Sequence, residues 1–310
     1  RGRVVAIGYQ ALENQDAAAH TYNIAIGYRT GRDIIGGVQN TLIGAQSGGS
    51  LTSGGYNTAL GYNALSSDTL GSYNTAIGRG ALQVFDAGNA YNVAVGYNAG
   101  TAMSTGAFTV AIGGLAMGLG ITTGDYNIAI GNYAGSLLTS GERNVLIGSN
   151  AGDALTTGDY NTAVGHGALS AESVNGSTTA VGYKALNIQN AGAESYNVAV
   201  GYEAGKLVST GTNNTLIGGQ AGDALTTGSW NVAVGKDALT ATDVGAYNVA
   251  VGGQSMLTNV DGSRNVALGY GTLQNMEPAS AVDMYNIAIG FNAGLSISTG
   301  VQNTLVGGIA

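Results

Sequence analysis

The sequence predicts an all-β protein, a parallel β-solenoid (β-roll) of about 18 coils of ~17 residues with two short strands in each coil. Three observations predict this fold. One strand-like motif recurs along the whole chain, a second glycine-containing turn follows each copy, and glycine is abundant at 54 residues while proline occurs once. A collagen-like chain or a proline-rich linker is excluded by this composition.

The repeated motif reads Tyr/x-Asn-(Thr/Val/Ile)-Ala-(Ile/Val/Leu)-Gly, and we call its last residue the motif glycine. Successive copies are usually 17 residues apart. The 18 motif glycines are Gly8, Gly27, Gly44, Gly61, Gly78, Gly96, Gly113, Gly131, Gly148, Gly165, Gly182, Gly201, Gly218, Gly235, Gly252, Gly269, Gly290 and Gly307. Since no region lies outside the array, we predict one tandem-repeat domain over residues 1–310, a fragment of a longer fibre.

The three residues before each motif glycine predict a strand. The first is β-branched in all 18 copies, as in Thr58, and the third is Ile, Val or Leu, as in Leu60. Alternate strand residues share a face, so we expect these two positions to point into the coil. The residue between them is Ala in 14 copies and Leu in four, and we expect it to face sister chains.

A second turn signal falls about ten residues after the motif glycine, for example at Gly54, Gly71 and Gly158. Glycine accepts positive φ without a Cβ clash, so each coil contains two chain reversals and room for two strands. Four residues after the motif glycine stands either Gly or a large apolar residue. Where it is Gly, the residue three further on is apolar, which predicts one interior slot filled from either position.

Asparagine begins the motif in 15 of 18 copies, and stacked amide side chains form hydrogen-bonded ladders. A row of glycan or metal ligands is the less favoured interpretation. The predicted ladder positions are Asn57, Asn74, Asn92, Asn127, Asn161 and Asn197, with the motif glycines Gly61, Gly78, Gly96, Gly131, Gly165 and Gly201.

Aromatic residues form two columns, one just before the Asn and one just after the motif glycine. We favour rings that stack on each other or cover a chain interface, and the alternative is a carbohydrate-binding platform. The candidate binding residues are Tyr62, Tyr97, Tyr183, Tyr202 and Tyr270.

The remaining composition argues against other functions. A net charge of −8 without a Lys/Arg run disfavours nucleic acid and anionic membranes, and no stretch is apolar enough for membrane insertion. There is no cysteine, and the two histidines, His20 and His166, stand in unrelated contexts. The acidic residues form no recurring pair. We therefore expect no metal, no cofactor and no catalytic residue, and a protein that is not an enzyme.

At residues 57–65, which read Asn-Thr-Ala-Leu-Gly-Tyr-Asn-Ala-Leu, the chain resembles the left-handed parallel β-roll head repeats of trimeric autotransporter adhesins (YadA-like heads). It is also similar to repeat arrays in predicted bacteriophage tail-fibre proteins. The resemblance spans all 18 copies, although the unit here is longer than the adhesin repeat. It implies three chains around one axis.

The low charge content also favours the association of chains, because ten basic and 18 acidic residues over 18 copies leave fewer than two charges per coil. We therefore expect a homotrimer, intertwined or side by side, that forms the shaft of a tail fibre on a virion or of an extracellular, cell-surface adhesin. Receptor contacts, to a glycan or a protein, are expected on the loops from Asn14 to His20 and from Asn275 to Met284. The alternatives are a glycan-binding or ice-binding solenoid face and, last, a solenoid enzyme.

Overall fold

The structure is a computed structural model that describes residues 3–15, 21–278 and 280–310. It is a parallel β-solenoid, which confirms the predicted fold class, and the described residues contain no helix. The chain divides into two compact units, Arg1–Thr157 and Gly158–Ala310, with the same coil design in each. Whether they make one domain stays a prediction.

Short strands stack in parallel within each unit, and all but two of them are the three residues that precede a motif glycine. The first unit contains β1 (Val5–Ile7), β2 (Ile24–Ile26), β3 (Thr41–Ile43), β4 (Thr58–Leu60), β5 (Thr75–Ile77), β6 (Val93–Val95), β7 (Val110–Ile112), β8 (Ile128–Ile130) and β9 (Val145–Ile147). The second contains β10 (Thr162–Val164), β11 (Thr179–Val181), β12 (Val198–Val200), β13 (Thr215–Ile217), β14 (Val232–Val234), β15 (Val249–Val251), β16 (Gly262–Ser263), β17 (Val266–Leu268), β18 (Val282–Asp283), β19 (Ile287–Ile289) and β20 (Thr304–Val306).

The register keeps every motif position in its own column. In the pair β4 and β5, for example, Thr58 lies beside Thr75, Ala59 beside Ala76, and Leu60 beside Ile77. The same alignment holds across the 19-residue spacing between β11 and β12 and the 21-residue spacing between β17 and β19. Extra residues are therefore accommodated outside the strands.

The second strand of each coil is largely absent from the described residues. Within residues 3–15, 21–278 and 280–310, only β16 and β18 pair as a second short parallel sheet. Elsewhere the returning segment is held by single bonds between coils, such as Thr52 N–H to the Thr69 carbonyl at 2.8 Å. The cause is local, because Gly, Ser and Thr at this turn leave too few extended residues for a continuous ladder.

The predicted orientation of the strands is wrong. The central residue, Ala59 or Ala163 for example, is fully buried in every described strand of the stack except the terminal β1 and β20. Its neighbours Thr58 and Leu60 are exposed. Alanine therefore lies inside the coil, and the β-branched columns lie outside. A β-branched side chain suits any pleated, half-buried surface, so its presence does not identify the inner face.

A narrow interior explains why alanine occupies the strand centre. The four copies with leucine there are Leu42, Leu146, Leu216 and Leu305. Leu42 lies between Gly31 and Gly48, and a Cβ built on either glycine would come within 2.9 Å of its Cδ1 atom. Leucine thus occurs at the strand centre where the preceding coil has glycine four residues after its motif glycine. A side chain at that glycine would occupy the same volume as the leucine.

The predicted alternative filling of the interior slot is confirmed. Leu65, four residues after its motif glycine, is fully buried, and so is Leu51, seven residues after its own. In eight of the nine coils with leucine or methionine four residues after the motif glycine, the seventh residue is buried as well, even where it is polar, as at Asp68 and Glu172. The interior is therefore completed by polar side chains in several coils.

The motif glycine allows adjacent coils to approach closely. Gly61 has φ of +142°, and a Cβ added to it would lie 2.4 Å from the carbonyl oxygen of Gly78 in the next coil. Gly165 repeats this geometry, with φ of +136° and a distance of 2.3 Å to the carbonyl oxygen of Gly182. Both the backbone conformation and the contact require glycine.

Candidate functional site

The most distinctive surface of each unit is a band of four columns of side chains, which we call the outer face. Two aliphatic columns come from the first and third strand positions. A leading aromatic column, five residues before the motif glycine, borders them on one side, and a trailing aromatic column, one residue after it, borders them on the other. Much of this face is apolar and open to solvent, for example Leu60, Val200, Ile217, Ile287 and Ile289.

The leading aromatic column contains a continuous stack over five coils in the first unit. Its members are Tyr56, Tyr73, Tyr91, Phe108 and Tyr126, with ring centroids 4.7–5.4 Å apart and interplanar angles of 3–8°. These residues have positive φ, 61° at Tyr56, which directs the ring outward while the following Asn points inward. Ring faces within the stack cover one another, and only edges and hydroxyls meet solvent.

The trailing aromatic column holds the five tyrosines proposed as a binding row, and the structure separates them into short groups. Tyr183 stacks on Tyr202 at 5.4 Å. The guanidinium of Arg79 lies over the rings of Tyr62 and Tyr97, at 5.9 and 5.4 Å from their centroids.

Tyr270 lies elsewhere in the same column and stacks on Phe291 at 5.7 Å. Glycines such as Gly114, Gly219 and Gly253 interrupt the column between these groups. The trailing aromatic column therefore forms several small clusters rather than one platform for a sugar chain.

The corrected strand orientation also bears on the ice-binding interpretation. The seven threonines of the first strand position, including Thr58 and Thr162, lie on the outer face rather than inside. Their placement therefore no longer argues against ice binding. Their number still does, because most copies carry Val or Ile at this position.

The motif asparagines form the inner ladder of the solenoid. The Asn57 side-chain carbonyl accepts the backbone N–H of Asn74 in the next coil at 2.9 Å, and its amide donates to the Gly71 carbonyl at 2.8 Å. Asn92 donates to Gly106 at 2.7 Å in the same way. Each such Asn thus connects the strand to the second turn.

The other predicted ladder residues repeat the amide bond to the residue 14 positions later. Asn127 bonds the Gly141 carbonyl at 2.8 Å, Asn161 that of Asn175 at 2.9 Å, and Asn197 that of Gly211 at 2.7 Å. The Asn74 amide nitrogen, by contrast, is buried and has no hydrogen-bond partner in the described part of the chain. All of these side chains are inside the coil, where no glycan or soluble metal ion reaches them.

A buried carboxyl group lies inside the coil at Asp68. Its Oδ1 accepts the Gly71 backbone N–H at 2.7 Å, whereas its Oδ2 has no hydrogen-bond partner in residues 3–15, 21–278 and 280–310. Burial raises the pKa of Asp68 to about 7. Asn259 occupies the equivalent position and both accepts from and donates to the Gly262 backbone at 3.0 Å. The shared role of this position is to fasten the second turn.

A second buried acid, Glu172, belongs to a larger polar network. Its carboxylate accepts the backbone N–H of Asn175 at 3.0 Å, the Asn175 side-chain amide at 2.8 Å and the Gln189 amide at 3.2 Å. Burial raises the pKa of Glu172, against the effect of these hydrogen bonds. Thr178 replaces the ladder asparagine here and bonds Ser195 at 2.5 Å. The network fills the interior where the ladder is interrupted.

The predicted receptor loops are only partly described. His20 and the rest of residues 16–20 lie outside the described residues, as does residue 279. In the second loop Met276 and Met284 are buried, and the side chain of Asp283 pairs with Arg264 at 2.8 Å. Part of this insertion therefore packs onto the solenoid.

Within residues 3–15, 21–278 and 280–310 there is no group of three or more His, Asp or Glu side chains able to hold a metal ion. No helix in the same part of the chain is long and apolar enough to cross a membrane. His166 is exposed and stacks on Tyr183 at 5.6 Å.

Sequence reasoning missed two sets of residues. The buried Asp68 had a signal, because Asp68 precedes Gly71 by the three residues that also separate Asn259 from Gly262. The second set is a polar notch around Arg29, for which the signal is a pair of cations three residues apart within one coil.

Comparisons with known proteins return no relative of this chain. No protein-family model, no curated protein and no solved structure matches it. The resemblance to adhesin heads and tail fibres therefore remains a prediction, and the proposals below rest on the geometry of the described residues.

Proposed function

We propose that the chain forms shaft segments of a homotrimeric fibre, in which it acts as a rigid spacer and contributes to attachment to a receptor. The setting is a phage tail fibre on a virion or an extracellular adhesin on a bacterial surface. What supports the proposal is the outer face. It combines exposed aliphatic columns with aromatic columns in coil after coil of both units.

The outer face is unusual for an isolated soluble chain. Soluble monomers rarely expose continuous apolar surface beyond a few hundred Å². Here the apolar columns recur throughout each unit, with Tyr56 and Tyr73, for example, beside Thr58 and Leu60. Fewer than two charged residues per coil are available to solvate this surface. Burial against sister chains removes it from water.

The orientation of the strands bears on which surface we propose for contact between sister chains. The alanine columns are inside each coil, so they are not available for contact between chains. We propose that the aliphatic columns of the outer face form the contacts between sister chains. Each methylene group buried there contributes roughly 0.8 kcal/mol, and a repeat multiplies the gain along the fibre.

Rigidity follows from the ties between coils. Backbone bonds in the strand columns repeat from coil to coil within each unit, as in Thr58 N–H to the Asn74 carbonyl at 2.9 Å. The asparagine ladder adds side-chain bonds from one coil to the next. Deforming one coil therefore strains its neighbours, which suits a spacer that must resist bending and proteolysis.

The test is the molar mass of the purified chain and of an outer-face variant, measured by sedimentation equilibrium. Val200 and Ile217 are adjacent on the outer face, 36% and 39% exposed. We expect the unaltered protein at three times the chain mass of 30.7 kDa. The double variant Val200→Lys with Ile217→Lys should have the mass of one chain, with an unchanged far-UV circular dichroism spectrum, because facing lysines repel and need water.

Leu207→Lys is the matched control. Leu207 lies between these two residues in sequence and is similarly exposed at 41%, but it belongs to a different column, six residues after a motif glycine. Its replacement should leave the mass at three chains. A single-chain mass for the unaltered protein, or an unchanged trimer in the double lysine variant, would reject the proposal.

A further inference from the structure

A polar notch in the first unit borders the trailing aromatic column of the outer face, because its Arg29 follows Tyr28 of that column. It is a cavity of about 220 Å³ lined by Arg29, Arg32, Gln46, Gly49, Ser50, Asn63 and Ser66. These residues come from three consecutive coils and occupy the second, fifth and sixth positions after the motif glycine. The notch exists because Gly49 has no side chain at the position where the coils on either side carry Arg32 and Ser66.

Residues at the second and fifth positions of other coils pair with each other. Gln10 bonds Glu13 at 3.0 Å, Asn150 bonds Asp153 at 2.9 Å, and Lys206 bonds Glu203 at 2.9 Å. The coil with Arg29 and Arg32 carries two cations there instead, and no other copy in the sequence has like charges at these positions. Such a pair gains no mutual contact and favours an external anion.

The hydrogen-bonding groups of the notch are largely unused. Among the described residues, the side chains of Gln46, Ser50, Asn63 and Ser66 make no hydrogen bond to another residue. Arg29 uses only its Nε, which donates to the Gln10 side-chain oxygen at 2.7 Å. Its two terminal nitrogens have no partner among the described residues, and four side chains beside it offer further donors and acceptors.

The charge balance makes Arg29 the group available to an anion. Arg32 is engaged by Asp33 through two bonds of 2.8 and 2.6 Å, which leaves one terminal nitrogen of its guanidinium for other contacts. Arg29 makes no ion pair with a carboxylate among the described residues, and its guanidinium rests over the ring of Tyr28 at 5.1 Å. The free edge of a guanidinium binds a carboxylate through two parallel hydrogen bonds.

We propose that this notch binds a single carboxylated sugar unit, of the uronic-acid type, within an acidic polysaccharide. Arg29 binds the sugar carboxylate. The ring hydroxyls form hydrogen bonds with the amides of Gln46 and Asn63 and with the hydroxyls of Ser50 and Ser66. The cavity is smaller than the roughly 300 Å³ at which pockets for drug-sized ligands begin, so it accommodates one unit. The inference rests on the attachment part of the proposed function.

The experiment titrates the full chain with trigalacturonic acid and follows binding by calorimetry and saturation-transfer NMR. We expect saturable binding that weakens at least tenfold in Arg29→Gln, because a neutral amide cannot replace the bidentate charged contact. Lys184→Gln is the matched control, since Lys184 occupies the same second position in a coil of the other unit. It should bind like the unaltered protein.

Three results would overturn the inference. They are no binding to the unaltered protein, equal binding by Arg29→Gln, and equal binding of a neutral galactose trimer or of inorganic phosphate. Sedimentation equilibrium on the same samples separates this inference from the fibre proposal. If the protein sediments as a trimer but does not bind trigalacturonic acid, only the notch is rejected. If it sediments as a single chain but binds the sugar, only the trimeric shaft is rejected.

Discussion

Two adjacent coils of the first unit fill the same interior in different ways. The coil that follows Gly44 has glycine at the fourth position and buries Leu51 at the seventh. The coil that follows Gly61 buries Leu65 at the fourth position and Asp68 at the seventh. The interior therefore accepts a large side chain at either the fourth or the seventh position, provided that the total volume is kept and a hydrogen bond holds the second turn.

Both coils depend on the motif glycine, and we expect its replacement to lower stability more than any other substitution proposed here. Gly61→Ala would place a Cβ 2.4 Å from the Gly78 carbonyl oxygen, at a φ that other residues rarely adopt. Strain and overpacking together should lower the free energy of unfolding by roughly 4 kcal/mol or more. Urea denaturation measures it. A loss below about 1 kcal/mol would contradict the close stacking of coils, and Gly36→Ala, where a Cβ meets nothing within 4 Å, is the control.

The next effect compares the two leucines directly. Leu51→Ala and Leu65→Ala should each cost about 2–5 kcal/mol, because each leaves a cavity in a closed interior. Adding Asp68→Leu to Leu65→Ala reproduces the pattern of the preceding coil and should recover at least half of the loss. The exposed Leu70 provides the control, since Leu70→Ala should change stability by less than about 0.5 kcal/mol. An unimproved double variant would show that the two positions are not interchangeable.

A smaller expected effect is the pH dependence of stability that comes from the coil containing Asp68. Burial raises the pKa of Asp68 to about 7 in the folded chain, above the value near 3.9 in an unfolded one. The folded state therefore binds the extra proton between these values, and stability falls as pH rises from about 4 to about 7. Asp68→Asn, which copies Asn259, should remove this slope and raise stability above pH 7 by about 2–4 kcal/mol. Urea midpoints at pH 5 and pH 8 measure it, and equal slopes in both proteins would contradict the buried carboxyl group.

Much of the fold could be predicted because the same sequence pattern occurs in every copy of the repeat. The strand before Gly61 is short and ambiguous alone, yet 18 copies establish the period, the strands and the interior slot of Leu51 and Leu65. The inner face could not be predicted by residue type, since Thr58 and Ala59 both suit a strand. Asp68 was missed because a carboxyl group is rarely buried, and only the contact with Gly71 explains it.

The candidate sites were less predictable for a geometric reason. Column positions such as Tyr62 and Tyr97 follow from the period, but Arg79 over their rings and the gaps beyond them do not. The notch depends on the missing side chain of Gly49 between neighbouring coils. Such a feature appears only when coils are stacked in their actual register.

Thiol reactivity can report the orientation of the strands, because the chain has no cysteine and a single introduced thiol gives the only signal. Ala163→Cys and Val164→Cys place one thiol on each side of β10. We predict that the thiol at position 163 reacts with maleimide only after denaturation in urea, while the thiol at position 164 reacts in the native protein or links to a sister chain on oxidation. A reactive thiol at position 163 beside an inert one at position 164 would contradict the account.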